Sequence, residues 1–192
     1  QVVHATDRVG RAKVDSATAG LRSLNPDVTV EAHRLRLDCD NAPSLFAHYD
    51  VIVDGSDNFA TRYVVNDAAL VAGRPFVSGA VQAFEGQVGV FAAAPCYRCA
   101  FPAPPPPGFA PSCDEAGVLG VVPGIVGLLQ ATETIKLLLG IGEPLLGRLL
   151  VVDVLTMQFS TLCIAADPDC GCRHAVTRQR LHEGRERGPQ AM

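Results

Sequence analysis

The chain has 192 residues, 48% of them hydrophobic and 19% charged, with a formal net charge of −4, so it can bury one sizeable core and lies within ordinary globular composition. The acidic balance excludes a body built to bind nucleic acid, since basic residues concentrate in 173–192, where five Arg oppose Glu183 and Glu186. Mean hydropathy is high at +0.20, yet no apolar run of about 18 residues is free of charge and Pro, and the opening QVVHATDRVGRAK is no signal peptide; a soluble, cytoplasmic chain without a membrane partner is expected.

From Val2 to Leu24 the pattern is helical, and Asn25-Pro26 stops it, because Pro cannot continue the hydrogen-bond ladder. A short strand is predicted over Val28–Ala32 and a turn of helix around Ser44–His48. VIVD at Val51–Asp54 is a continuous β-branched run of the kind buried in parallel sheets. A helix over Asn58–Ala72, a strand over Pro75–Ser78 and another over Gln87–Phe91 follow. Strands alternating with helices predict an α/β domain with a parallel core. Ala92–Gly117 holds four consecutive prolines, which impose extended geometry and mark a long functional loop. Val118–Leu139 then reads as a largely buried apolar helix, bent near Pro123-Gly124 and ended by Gly140. Arg148–Asp153 and Gln158–Ile164 read as a closing antiparallel pair, and 173–192 as a disordered basic tail. No internal repeat is visible.

Four features of the sequence carry candidate chemistry. Asp54-Gly55-Ser56-Asp57-Asn58 directly follows the VIVD strand, at the carboxyl edge where open α/β sheets bind ligands. Its acids suit a metal or a ribose, and the same residues suit capping of the next helix. Lys13, in a Gly10-Arg11-Ala12-Lys13 turn that opens a helix, can meet a phosphate or remain a solvated surface lysine. Cys96, Cys99, Cys170 and Cys172 supply enough soft thiolates for a tetrahedral zinc, with Cys163 or His174 as substitutes for one ligand and a redox pair as the other use of the motif. Among the remaining cysteines, Cys113 at the end of the proline loop is a candidate nucleophile. Cys39 and Cys163 read as packed thiols.

VDGSDNFATRYVVND, PFVSGAVQAFEGQVGVF, CYRC and SCDEAGVLGVVPGIVGLLQATETIKLLLG resemble the ThiF/MoeB family in one register across residues 1–172. These are ubiquitin-activating-enzyme-like adenylyltransferases that include molybdopterin-synthase adenylyltransferases and their sulfurtransferase relatives. The resemblance implies a Rossmann-like mixed sheet flanked by helices, and a reaction in which Mg-ATP adenylates the C-terminal Gly of a ubiquitin-like sulfur carrier ending in Gly-Gly. It implies Mg²⁺ on Asp57 with Asn58 beside it in the nucleotide pocket. Lys13 takes the place of the family's phosphate-binding Lys, in a pattern that starts at Gln1, itself in the nucleotide site. Zn²⁺ would sit on Cys96, Cys99, Cys170 and Cys172, although the family's second pair is CxxC. Cys113 would fall on the crossover-loop thiol used by sulfur-transferring members, and family members are homodimers.

The resemblance also places the family's Gly-rich loop, ribose-binding acid and an Arg before Gln1, so the first nucleotide-binding βαβ portion is expected to be missing, with instability or rescue by an oligomer. No rhodanese-like domain is expected to follow. The competing reading is a non-catalytic remnant or carrier-binding module that keeps the clasp and the docking loop. A nicotinamide dehydrogenase is disfavoured, since no G-x-G-x-x-G follows a strand.

Overall fold

The computed structural model describes residues 3–106 and 117–172, and the chain divides into two compact units, 1–36 and 37–192. The expected tail over 173–192 and Cys113 lie outside the described residues.

In the first unit a 3₁₀ turn, Thr6–Arg8, precedes helix α1, Lys13–Leu24. Ser16 is buried, and His4 Nδ1 lies 2.9 Å from its Oγ while Arg8 Nη1 donates to its carbonyl at 2.8 Å. Asp15 and Arg34 form an ion pair. The strand expected over Val28–Ala32 is not present; that segment has no strand beside it among the described residues, and the Val30 carbonyl accepts instead from Arg22 Nη2 at 3.4 Å. Without a ladder partner, β-branched residues do not make a strand.

The second unit runs α2 (Ala42–Phe46), β1 (Ile52–Asp54), α3 (Phe59–Ala72), β2 (Phe76–Gln82), β3 (Glu85–Phe91), α4 (Tyr97–Ala100), α5 (Val121–Leu139), β4 (Arg148–Asp153) and β5 (Gln158–Cys163). The five strands lie in chain order in one sheet, β1-β2-β3-β4-β5. The core is therefore mixed: only β1 and β2, joined through α3, are parallel, and the other neighbours are antiparallel. A parallel pair needs a crossover, whereas the turn at Ala83, between β2 and β3, reverses the chain within a few residues.

Helices cover both faces of the sheet. Phe76 and Phe91, whose rings stack at 5.3 Å, join Ala42, Phe46, Val65, Ala69 and Tyr97 in one buried cluster. Val77, Val88 and Val90, which point to the opposite face, pack on Val122 and Val126 of α5. The alternation Phe76/Val77 and Val90/Phe91 is the period of two that a strand imposes.

Two expectations for α5 are corrected. The helix is continuous, because Pro123 stands in its first turn, where no backbone donor is needed. It is also not largely buried: Val122, Val126, Gln130 and Glu133 are inside, but Leu128 is 73% and Leu139 66% exposed. By length and composition it could cross a bilayer; its buried polar groups are instead committed to the fold. Gln130 Nε2 donates to the carbonyls of Asp54 (2.8 Å) and Val77 (3.2 Å), and Glu133 accepts from the Leu145 amide at 2.8 Å. Gly79 is required beneath Gln130, since a Cβ there would overlap its carboxamide. Gly140, at φ 63°, ends the helix in the left-handed conformation. Cys39 and Cys163 are exposed rather than packed; Cys163 closes β5, every residue of which is exposed.

Candidate functional site

The first cluster is the loop after β1. Asp54 ends that strand only 5% exposed; its Oδ1 accepts from the Ser56 amide at 2.9 Å, and its Oδ2 is buried without a hydrogen-bond partner among the described residues. Burial pushes the Asp54 carboxyl above its ordinary range, against the opposing pull of Ser56 and the Arg62 charge. Asn58 caps α3, its Oδ1 accepting from Thr61 N at 2.8 Å, and its Nδ2 donates to Asp57 Oδ1 at 3.2 Å. The capping use of this segment is therefore realised. Asp57 itself is exposed at the start of α3, where the helix dipole favours a negative charge.

Arg62, one helical turn beyond the cap, is 9% exposed and turns back over the loop. Its Nε and Nη2 both donate to the Ser56 carbonyl, at 3.2 and 2.9 Å, and its guanidinium lies 5.4 Å from the Phe59 ring centroid. Asp57, Arg62, Ser78, Gln87, Tyr97 and Phe101 line a cleft of about 360 Å³. It joins an acidic lip, a buried cation, amide and hydroxyl groups, and an aromatic wall. Such a mixture suits a ligand that is polar at one end and extended.

The second cluster is made of thiols. Cys96 caps the single turn of α4 and Cys99 stands within it, and Cys170 and Cys172 reach them from the end of the described chain. Sγ separations are 3.9 Å for Cys96–Cys99, 3.6 Å for Cys96–Cys170 and 3.7 Å for Cys99–Cys172, with all four sulfurs within 4.8 Å of one another. Four sulfurs at about 2.3 Å from a tetrahedral centre stand about 3.8 Å apart, so the donor set fits a thiolate-bound metal, and the one-residue bite of Cys170-Gly171-Cys172 closes it. Cys163 is not in the group, and His174 lies outside the described residues. Burial pushes the Cys96 thiol up to about 11 and also raises Cys172, whose neighbouring thiols add to the rise. Cys99 is also opposed by burial, but donors from Asp167 and Cys96 and the adjacent thiols bring it below its ordinary value.

One helix holds both clusters. Asn66 Oδ1 accepts from the Tyr97 amide at 2.9 Å, Arg98 pairs with Asp67 at 2.8 and 2.7 Å, and Tyr63 donates to the Phe101 carbonyl at 3.0 Å. These residues stand on α3, at its second and third turns.

Of the residues singled out in the sequence, Asp57 and Asn58 stand together and the four cysteines converge. Lys13 opens α1 in the first unit and is exposed; Gln1 and Cys113 lie outside the described residues. Arg62, Tyr97 and Gln130 are site-shaping residues that motif reading missed. The signal for Arg62 was its i+4 spacing from Asn58, which puts it over the helix terminus.

The ThiF family model matches residues 1–173. The chain is 51% identical over 189 residues to a sulfur carrier protein adenylyltransferase of Thermus thermophilus, covering 94% of this chain and 70% of that protein. It is 52% identical over 174 residues to the probable adenylyltransferase/sulfurtransferase MoeZ of Mycobacterium tuberculosis, covering 88% of this chain and 44% of that one. In fold it is similar to a crystal structure of E. coli MccB, with a TM-score of 0.73 at 18% identity, over 90% of this chain and 54% of that one.

Proposed function

The chain belongs to the ThiF family, a family of adenylyltransferases, and on that premise we propose that it is the part of an adenylyltransferase that activates the C-terminal glycine of a ubiquitin-like sulfur carrier with ATP. The carrier carboxylate attacks the α-phosphate, an acyl-phosphate bond forms, and pyrophosphate leaves with the electrons of the broken phosphoanhydride bond. Such a reaction needs positioning and charge neutralisation more than covalent help from the protein.

The observation that supports this reading is the loop 54–58, which sets an exposed carboxylate, Asp57, at the mouth of the cleft beside a helix N-terminus. An open carboxylate among oxygen donors fits a magnesium ion shared with phosphates, and Asp57 would hold the ion that neutralises phosphate charge. Lys13 and Gln1 would serve the nucleotide, as the family resemblance implies, and Asn58 would keep Asp57 in place while it caps α3. The cleft, walled by Tyr97 and Phe101, would admit the narrow Gly-Gly tail of the carrier, since a glycine tail has no side chains to clash with aromatic walls. Zinc on Cys96, Cys99, Cys170 and Cys172 would be structural, because four protein ligands leave it no open position. Reduced thiols of this kind belong in the cytoplasm, and a homodimer would complete the assembly. Sulfur transfer after adenylation would fall to Cys113.

ATP–pyrophosphate exchange on the full-length protein with a Gly-Gly-tailed sulfur carrier tests the reading. Exchange that requires both Mg²⁺ and the carrier is expected. No exchange with any of several carriers, from protein whose thiol cluster is metal-loaded, would replace the enzyme with a carrier-binding module. Cys113→Ala should leave exchange intact and impair sulfur transfer to the carrier; unchanged transfer would return Cys113 to the ordinary thiols.

A further inference from the structure

Arg62 is in an unfavourable place for a cation. It lies one turn from the start of α3, where the helix dipole is positive and a basic residue costs a few tenths of a kcal/mol to about 1 kcal/mol. It is also 9% exposed, and removing a guanidinium from water is costly unless its donors are used. No carboxylate ion-pairs with it among the described residues' salt bridges. Two of its donors instead converge on one neutral oxygen, the Ser56 carbonyl. That carbonyl belongs to the residue directly before Asp57. Helix stability does not account for Arg62, and its charge acts on the Asp54 carboxyl without a close ion pair; the two-pronged donation to Ser56 fixes the path of the loop.

Tyr97, the residue after Cys96, lines the same cleft as Arg62. Tyr97 is 2% exposed, and its edge meets the Tyr63 ring at 5.8 Å. Tyr97 is in turn fixed by its amide on Asn66 and by the Cys96–Cys99 turn. The cysteine turn thus sets Tyr97 on one wall of the cleft, and Arg62, on the same cleft, holds Ser56 and the loop.

We propose that Arg62 is a positioning residue for the nucleotide site, fixing the Ser56 carbonyl and with it the orientation of Asp57, and that Tyr97 of the cysteine turn holds the guanidinium in that pose. The proposal rests on the reading of Asp57 as the magnesium-holding residue. It separates the role of Arg62 from direct contact with phosphate. A misdirected Asp57 weakens the ion, and raising the Mg²⁺ concentration restores the rate; a lost phosphate contact is not restored in that way.

The test uses Arg62→Lys, Arg62→Met and Tyr97→Phe in the full-length protein. The measurements are the Mg²⁺ activation constant and the maximal rate of ATP–pyrophosphate exchange, Mn²⁺ binding with ATP by electron paramagnetic resonance, and metal content of the thiol cluster. Outer partners of metal ligands typically change affinity by about tenfold to a hundredfold. Arg62→Met should raise the Mg²⁺ constant, and weaken Mn²⁺ binding, by about that factor, with the maximal rate recovered at saturating Mg²⁺ and the cluster metal retained. Arg62→Lys keeps the charge but not the two-pronged donation and should fall between; Tyr97→Phe should shift the same constant in the same direction by less. Should Arg62→Met lose its melting transition, the lysine and phenylalanine variants carry the test. An unshifted Mg²⁺ constant in Arg62→Lys and Tyr97→Phe, or a rate that saturating Mg²⁺ does not recover, overturns the proposal while wild-type exchange stands. Absence of exchange in the wild type overturns the adenylation reading and this inference together.

Discussion

The thiol cluster and the loop 54–58 solve opposite problems on the same helix. The cluster draws its donors from segments more than seventy positions apart, Cys96 and Cys170 being 74 residues distant in the chain, and closes them around a point with no vacancy for a substrate. The loop draws its groups from one short contiguous stretch and leaves Asp57 open to the cleft. A closed set of soft ligands suits a metal that would clamp the fold, and an open hard ligand suits the charge that the proposed substrate would bring. On the proposed reading α3 has a holding end and a working end, and substitutions should separate the two.

The largest effect is expected at the holding end. Cys170→Ser should reduce the cluster's metal content to near zero and lower the thermal midpoint, since structural thiolate-bound zinc contributes on the order of 10 kcal/mol to folding in small domains. Metal analysis beside a melting curve checks it, and an unchanged midpoint in metal-free protein would remove the cluster from the fold's supports. At the working end Asp57→Ala should lower exchange by about a hundredfold or more, a loss of about 3 kcal/mol of charge stabilisation, with the cluster still loaded. Near-normal exchange in that variant would dismiss the magnesium role.

Smaller changes sharpen the contrast. Asn58→Ala removes the cap of α3 and should cost about 1 kcal/mol in chemical denaturation, together with a higher Mg²⁺ requirement because Asp57 loses its neighbour. Asp67→Asn breaks the pair with Arg98 that anchors the cysteine turn. Burial opposes the shift, but the Arg98 guanidinium holds the Asp67 carboxyl below its ordinary value. A lowered carboxylate contributes stability above the unfolded pKa and loses it as pH falls through the folded one. The pair is 39% and 52% exposed, so solvent screening limits its worth to about 0.5 kcal/mol. The variant should therefore differ from wild type near neutrality and converge with it in acid, and a difference that grows in acid would contradict the pair.

Much of this is legible in the sequence. The strand ending at Asp54, the cap at Asn58, the hairpin formed by β4 and β5 and the Cys96–Cys99 half of the candidate metal site are all local patterns of side-chain type and spacing. Three features were not legible, for one reason: each depends on a neighbour distant in sequence. Val28–Ala32 has strand composition but no ladder partner, so it stays irregular. Val121–Leu139 carries apolar residues on more than one side, and the packing of Val122 and Val126 against β2 and β3 selects which side is buried. Cys163 resembles a packed thiol by its setting in QFSTLC, yet β5 is an exposed edge strand.

The sequence by itself determined the family, the candidate ligands and the carboxylate on the loop, because spacing along a helix or across a CxxC turn is set by backbone geometry alone. Only the tertiary structure decided that Cys170-Gly171-Cys172 closes the cluster, and that Arg62 turns inward to the Ser56 carbonyl instead of outward to water. Both depend on where the sheet and α3 bring distant backbone groups, and a guanidinium or a thiol will satisfy whichever partner the fold leaves within its reach.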